Sequence, residues 1–438
     1  MGAANGPGNP ESEFLDNAVW HGPLDRASEL LTAHPEIASA SIYTAALLGD
    51  DAGVRRFLAA DPSSATAKGG PRAWDALTYL CFSKYLQHEP AGSEGFVRAA
   101  QALLDAGVSP NAGFFEHNHR PNPEYESVLY GAAGVAHHAP LTRLLLERGA
   151  DPNDGEVAYH APEGYDNAAM QVLVESGKLT ADSLATMLLR KHDWHDYDGI
   201  RWLLEHGADA NRLTYWKITA FHQAIRRDNA LKIVEALLDH GADPKLSAHP
   251  PTVMDLAARR GRGDVLDLFE HRGIAIDLTG VEALLADIAR HRSRGGGPEA
   301  VAQLRAAGGQ PLAEFAGNDN AEGVRLLLDL GIAVDAVFAD GDIYWDVARN
   351  STALHVAAWR ASHQTLKLLI SRGAAVNARD GKGRTPLALA VRACVDSYWT
   401  RKRSPDSVAA LLAAGASAEG IQVPTGYAEI DTLLQTQV

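Results

Sequence analysis

The sequence predicts an all-α chain built from repeated helix–turn–helix units, and three observations carry that prediction. One phrase recurs along the chain, an apolar segment ending in Leu-Leu and followed by Gly-Ala-Asp-x-Asn. It occurs as Leu144-Leu145-Leu146 before Gly149-Ala150-Asp151-Pro152-Asn153, as Leu203-Leu204 before Gly207-Ala208-Asp209-Ala210-Asn211, and as Leu237-Leu238 before Gly241-Ala242-Asp243-Pro244. Weaker copies stand at Gly107, Gly331, Gly373 and Gly415. A second phrase, a short apolar segment opened by Thr, alternates with the first: Thr219-Ala220-Phe221-His222, Thr352-Ala353-Leu354-His355 and Thr385-Pro386-Leu387-Ala388. Finally, 438 residues with 46% hydrophobic and 22% charged content fit a folded chain too long for one ordinary core.

Each element has a physical reason. Gly at the end of the Leu-Leu helix supplies the left-handed residue that closes it, and the Asp and Asn that follow suit a turn. Thr caps the short helix, Pro386 takes the first helical position, and the small Ala residues let neighbouring units approach closely. These residues resemble the Thr-Pro-Leu-His-x-Ala signature of the ankyrin-repeat family. The resemblance spans roughly residues 14–438 in about 11–12 units. It implies an ankyrin-repeat solenoid that recognises a protein partner through its concave groove and hairpin fingers.

Along the chain, residues 1–13 read as a disordered Gly/Asn/Pro-rich leader without the basic and apolar parts of a signal peptide. Residues 14–280 form an N-terminal repeat block with long loops. Within it, Leu184–Asn211 keeps the second half of the repeat but replaces the Thr-opened signature. Residues 281–310 are a degenerate repeat with a Gly-rich loop at Arg294–Pro298, either a hinge or an over-long loop inside one stack. Residues 311–422 carry further repeats, and 423–438 read as a C-terminal capping helix, which repeat arrays need to cover their last open face.

The formal charge of −15 argues against a nucleic-acid partner. Cys81 and Cys394 provide no disulfide framework. No stretch reaches the roughly 18 apolar residues of a membrane span. Cytoplasmic residence, no membrane association and a monomeric state are expected.

The hairpins between units read as unusually long and chemically loaded. Asn111–Ser127 carries Phe115, Glu116, His117, Tyr125 and Glu126. Asp154–Asp166, read as a second finger, carries His160 and Tyr165. Leu213–Lys217 contributes Trp216, and Lys68–Asp75 contributes Arg72 and Trp74. Phe338–Arg349 adds Tyr344, Trp345 and Asp346. The ends of the short helices, which face the groove floor, are basic or aromatic: Lys84, Arg190-Lys191-His192, Arg226-Arg227, Trp359-Arg360 and Arg392. The helix dipole favours cations there, and an anion site would use the same residues.

Two function classes follow. The binding scaffold needs only a rigid surface with aromatic and Arg anchors. The alternative is a small-molecule site or enzyme in the groove of residues 68–230, an acid–base hydrolase, lyase or isomerase acting on an anionic substrate. In that scheme His192, His195 or Glu116 moves protons. Arg72, Lys84, Lys191 or Arg226 holds the anion, Asp193 or Asp196 orients a His ring, and Trp74, Trp194 and Trp216 exclude water. His222, counted among the binding residues, stands at a signature position where a structural His is the rule. The pairs His192/His195 and His117/His119 lack further ligands at a recognisable spacing, so no metal and no cofactor are expected. No nucleophile elbow or phosphate loop is present.

Overall fold

The computed structural model describes residues 9–88, 93–117, 123–248, 250–292, 297–397, 399 and 402–436. The chain divides into two compact units, Met1–Asp243 and Pro244–Val438. Among the described residues the first holds seven helix pairs and the second five, followed by a terminal helix Ala428–Gln435. In each pair an inner helix precedes an outer one, and within each unit inner packs on inner and outer on outer. The all-α stack of helix–turn–helix units expected from the sequence is the one observed.

The recurring phrases act as the sequence reading requires. Thr219 accepts the backbone N–H of His222, and His222 Nδ1 turns back to Thr219, a reciprocal cap. Thr352 with His355 repeats it. Gly149 and Gly207 adopt φ of 95° and 90°. No atom lies within 4 Å of where their Cβ would stand, so the left-handed backbone and not crowding selects glycine.

The Asn that ends the phrase ties one repeat to the next. Asn111 donates to Gly149 O at 3.3 Å and accepts from Asp151 N at 2.8 Å. Asn211 donates to Gly241 O and accepts from Asp243 N, and Asn377 does the same with Gly415 and Ser417. Asn153 donates to Lys178 O and accepts from both Thr180 N and Ser183 Oγ. An amide side chain is chosen because it alone among these small residues both donates and accepts. The corresponding position after Gly241 is Lys245, and the boundary between the two units falls there.

Some expectations need correction. A helix Pro10–Asn17 occupies the end of the presumed leader: Asn9 caps it, Pro10 takes its first position, and Phe14 and Leu15 are buried. Met1–Gly8 lie outside the described residues. Asp154–Asp166 is no finger. Glu156–His160 in its middle is the inner helix of a repeat, with Val157 and Ala158 buried. The sequence does not reveal it because the usual Thr cap is replaced by Gly155 at φ 98°. The Gly-rich loop Arg294–Pro298 falls mostly outside the described residues and lies inside the second unit, not between units.

Asn153→Ala should destabilise the first unit by about 2–3 kcal/mol, since its three hydrogen bonds to the next repeat, of roughly 1 kcal/mol each, are lost together with its bond to Asp151. Asn153→Asp, which keeps the acceptor, should cost about half as much. Urea unfolding followed by circular dichroism measures both, and equal losses would show that the bonds accepted from Thr180 and Ser183 contribute nothing.

Candidate functional site

Three consecutive inner helices of the first unit end side by side, Glu156–His160, Ala181–Lys191 and Ala220–Arg226. Buried charge joins their ends. Arg190 lies over the Tyr159 ring, 3.8 Å from its centroid, and donates to Glu163 Oε1 at 3.0 Å. It also pairs with Asp193. Asp193 in turn accepts from Gln223 Nε2 and Arg227 Nε, each at 2.6 Å. One carboxylate therefore fixes arginines from two neighbouring repeats. The short hairpin before Thr219 places Trp216 against Tyr159, with ring centroids 5.7 Å apart. Between them opens a pocket of about 190 Å³ lined by Tyr159, Arg190, Trp216, Gln223, Arg226 and Arg227. Arg226 is exposed at its rim.

Just beneath, Lys191 is fully buried. Its Nζ pairs with Asp196 at 2.9 Å and donates to Pro162 O and Gly164 O. Burial lowers its pKa, partly offset by Asp196. It is a latch holding the 161–166 loop, not an anion receiver. His192 is likewise fully buried, Nδ1 facing Leu188 O at 2.7 Å, and burial lowers its pKa to about 4. His195, in a left-handed conformation, hydrogen-bonds Asn229, which also binds His192 O. The expected proton-transfer set is thus not assembled on the groove surface. Glu116 belongs to another structure, the hairpin Gly113–Glu116 with Glu124–Ser127, where it stands opposite Glu124.

The remaining predicted residues separate into packed and exposed groups. Trp74 stacks on Phe114 at 4.2 Å, Arg72 lies 5.1 Å from the Trp74 centroid, and Arg72 pairs with Asp16. Tyr125 bonds Asn111 O and Glu126 is buried. His222 is the buried cap partner of Thr219. Lys84 is half-buried and Trp194 partly covered, with Tyr165 standing edge-on to it. Phe115, His117 and Tyr165 project into solvent. Residues 118–122, including His119, lie outside the described residues.

His160 sits between two carboxylates, Glu156 at 3.2 Å and Glu163 at 3.0 Å. Burial would lower its pKa, but the two partners raise it to about 9. A His held protonated this way is a structural cation at neutral pH and no general base. Glu124, Glu126 and Glu156 bring carboxylate oxygens within 4.8 Å of one another, a hard-oxygen set suited to Ca²⁺ or Mg²⁺ rather than Zn²⁺. His160 already supplies a cation to Glu156.

The second unit repeats the arginine–aromatic device. Its long finger runs from Val337–Phe338, paired with Ser351–Thr352, through an Asp342–Val347 bridge, and places Trp345 over the end of the inner helix Ala353–Trp359. Arg360 lies 3.7 Å from the Trp345 centroid and 4.8 Å from that of Trp399. Asp346 gathers Lys382, Arg384 and Arg392. Partial burial would raise its pKa, but these cations hold it at about 2. The sequence pointed to the helix-end arginines and to Trp345. It did not point to Trp399, which lies in the loop joining the helices of the last pair; the aromatic run at Tyr398-Trp399 was the available signal.

Comparison with known families matches residues 203–257 to "Ankyrin repeats (many copies)" and residues 318–419 to "Ankyrin repeats (3 copies)". The chain contains ankyrin repeats. No curated protein matches it. A solved structure similar to it is the human ASB11 ankyrin repeat domain, at 21% identity over 59% of this chain and 98% of that one, with a TM-score of 0.26. Ankyrin repeats are generally protein–protein interaction scaffolds. Among the described residues no helix of this ankyrin array is long and apolar enough to cross a membrane.

The two histidines predict a stability maximum near neutral pH. His160, raised from an ordinary 6.5 to about 9, contributes stability that is full below 6.5 and lost as pH climbs through 9. His192, lowered to about 4, contributes stability that is present above 6.5 and lost as pH falls through 4. Urea midpoints across this range should fall on both sides, and His160→Gln should flatten the alkaline limb only. An unchanged alkaline limb in that variant would assign it to another group.

Proposed function

We propose that the chain is a binding scaffold that captures a protein partner where the Trp216 hairpin overhangs the helix-end arginines of the first unit. The observation that carries this reading is the pocket bounded by Tyr159 and Trp216 on its walls and Arg226 and Arg227 at its rim. Aromatic side chains and arginine on a preorganised surface are the groups that dominate protein-binding hot spots. Arg190 and Arg227 are already immobilised by Asp193, which lowers the ordering cost on association.

The electrostatics specify the partner further. Residues 1–243 contain 19 Lys and Arg against 33 Asp and Glu, a net charge of −14. An acidic partner would be repelled over the whole surface, whereas a neutral or basic one is drawn in. Its anchor in the pocket is then a single carboxylate or carbonyl-rich turn reaching Arg226. A free anionic small molecule would use the same arginines. At about 190 Å³ the pocket is smaller than the roughly 300–1,000 Å³ of typical small-ligand sites, which favours a partner side chain.

Partner capture from cell extract, compared between the unaltered chain and Trp216→Ala and Arg226→Glu, tests the reading. Both variants should lose the same captured protein, by roughly ten-fold or more for a hot-spot residue. Retention of every captured protein by both variants would remove the first unit's pocket from recognition. A thermal shift with small carboxylates that disappears in Arg226→Glu would shift the reading to the small-molecule alternative.

A further inference from the structure

The second unit contains a separate pocket of about 380 Å³ that the scaffold reading does not use. Trp345, Trp359 and Trp399 form its walls, and Arg392 is the cation lining it. We infer that it is a ligand site for a planar aromatic carboxylate, the ring lying among the three tryptophans and the carboxylate bound by Arg392.

Four observations select that class. The first concerns the walls. Trp345 and Trp399 stand 5.2 Å apart, and Trp399 meets Trp359 edge-on at 5.5 Å. The Trp359 indole donates to Trp345 O at 2.5 Å, which fixes the finger to the helix end. Rigid indole walls favour a flat apolar guest that stacks or meets them edge-on.

The second observation weighs against a cationic guest. Aromatic cages bind ammonium groups by offering unoccupied ring faces. Here each tryptophan already has its cation: Arg360 serves Trp345 and Trp399, and Arg392 lies 4.7 Å from the Trp359 centroid.

Third, Arg392 has donors to spare. Its Nη1 donates to Asp346 at 2.6 Å, and its Nε is 3.7 Å from Asp396, beyond hydrogen-bond range. A guanidinium carries five N–H groups in a fork that fits a carboxylate. The two acidic residues in the lining do not forbid an anion. Asp346 is matched by Lys382 and Arg384 as well as Arg392, and Asp396 is 82% exposed and free to turn to water.

Finally, the surrounding sequence is basic in an acidic protein. Residues 351–403 contain 10 Lys and Arg and 2 Asp and Glu, against a whole-chain charge of −15. This local excess attracts an anion to the part of the chain that holds the pocket. The volume also lies within the range of small-ligand sites.

An aromatic carboxylate can be a free acid or the C-terminal residue of a peptide, and the test separates them. Calorimetric titration of the full chain would use 1-naphthoate, its neutral counterpart 1-naphthylmethanol, acetate, tetramethylammonium, and the tripeptide Gly-Gly-Trp. Naphthoate should bind, with the alcohol and acetate roughly ten-fold or more weaker, because each lacks half of the recognition. Arg392→Met should weaken naphthoate by a similar factor while leaving naphthylmethanol unchanged. Trp399→Phe should weaken both. Lys367→Gln, which removes a charge on an outer helix of the same basic stretch, should alter neither. Tighter binding of Gly-Gly-Trp than of naphthoate would identify a peptide C-terminus as the source. The inference is overturned if naphthoate fails to bind, if acid and alcohol bind alike, if Arg392→Met has no effect, or if tetramethylammonium is preferred.

Discussion

At four junctions among the described residues a single side-chain amide ties one repeat to the next, and the first unit's groove rests on three of them. Asn111, Asn153, Asn211 and Asn377 each donate to a carbonyl and accept an N–H in the following repeat. The bonds fix not only spacing but phase, because a hairpin shifted by one residue would present the wrong group to both ends of the amide. With phase fixed, hairpins and inner-helix ends of successive repeats fall in register. Where the amide is absent the coupling changes in kind. Asp335 can only accept, from Ala375 N, and Lys245 reaches Asp277 through an ion pair.

On that frame the chain reuses one device, an arginine laid against an aromatic side chain, as in Arg72 with Trp74, Arg190 with Tyr159, and Arg360 with Trp345. The ring shields the cation from water and the cation stiffens the ring, so both are poised for contact. Carboxylates set the remaining geometry. Asp193 joins arginines of adjacent repeats, and Asp346 joins a finger tip to Lys382, Arg384 and Arg392. The same acids that neutralise these clusters therefore also aim them.

The repeat was legible in the sequence because its signals are local. A helix-closing glycine, a capping Thr and a bridging Asn each act within a few residues, and each leaves a fixed spacing. The inner helix Glu156–His160 escaped notice because it starts from Gly155 and keeps only Val157 and Ala158 of the apolar pattern. The sites were less legible. Helix-end arginines and finger aromatics stood out, but composition could not show that Lys191 and His192 turn inward while Arg190 and Arg226 turn outward. Arg190 and Lys191 are consecutive on one helix, where side chains diverge by about 100° per residue, and composition does not say which of the two faces inward. Nor could spacing reveal that Trp399 folds back onto a finger more than fifty residues earlier.

The buried Lys191 has a consequence for how the protein responds to chemistry from outside. Its amine is sealed beneath the carbonyls of Pro162 and Gly164 and is fully out of contact with solvent. Acylating and alkylating reagents, like the enzymes that modify lysines, need an accessible, deprotonated amine. Lys191 can meet them only while the 161–166 loop is lifted. The rate of its modification is thus a clock for that opening, set by the fold rather than by the reagent. A molecule seated on the neighbouring arginines that held the loop down would slow that clock without touching the lysine.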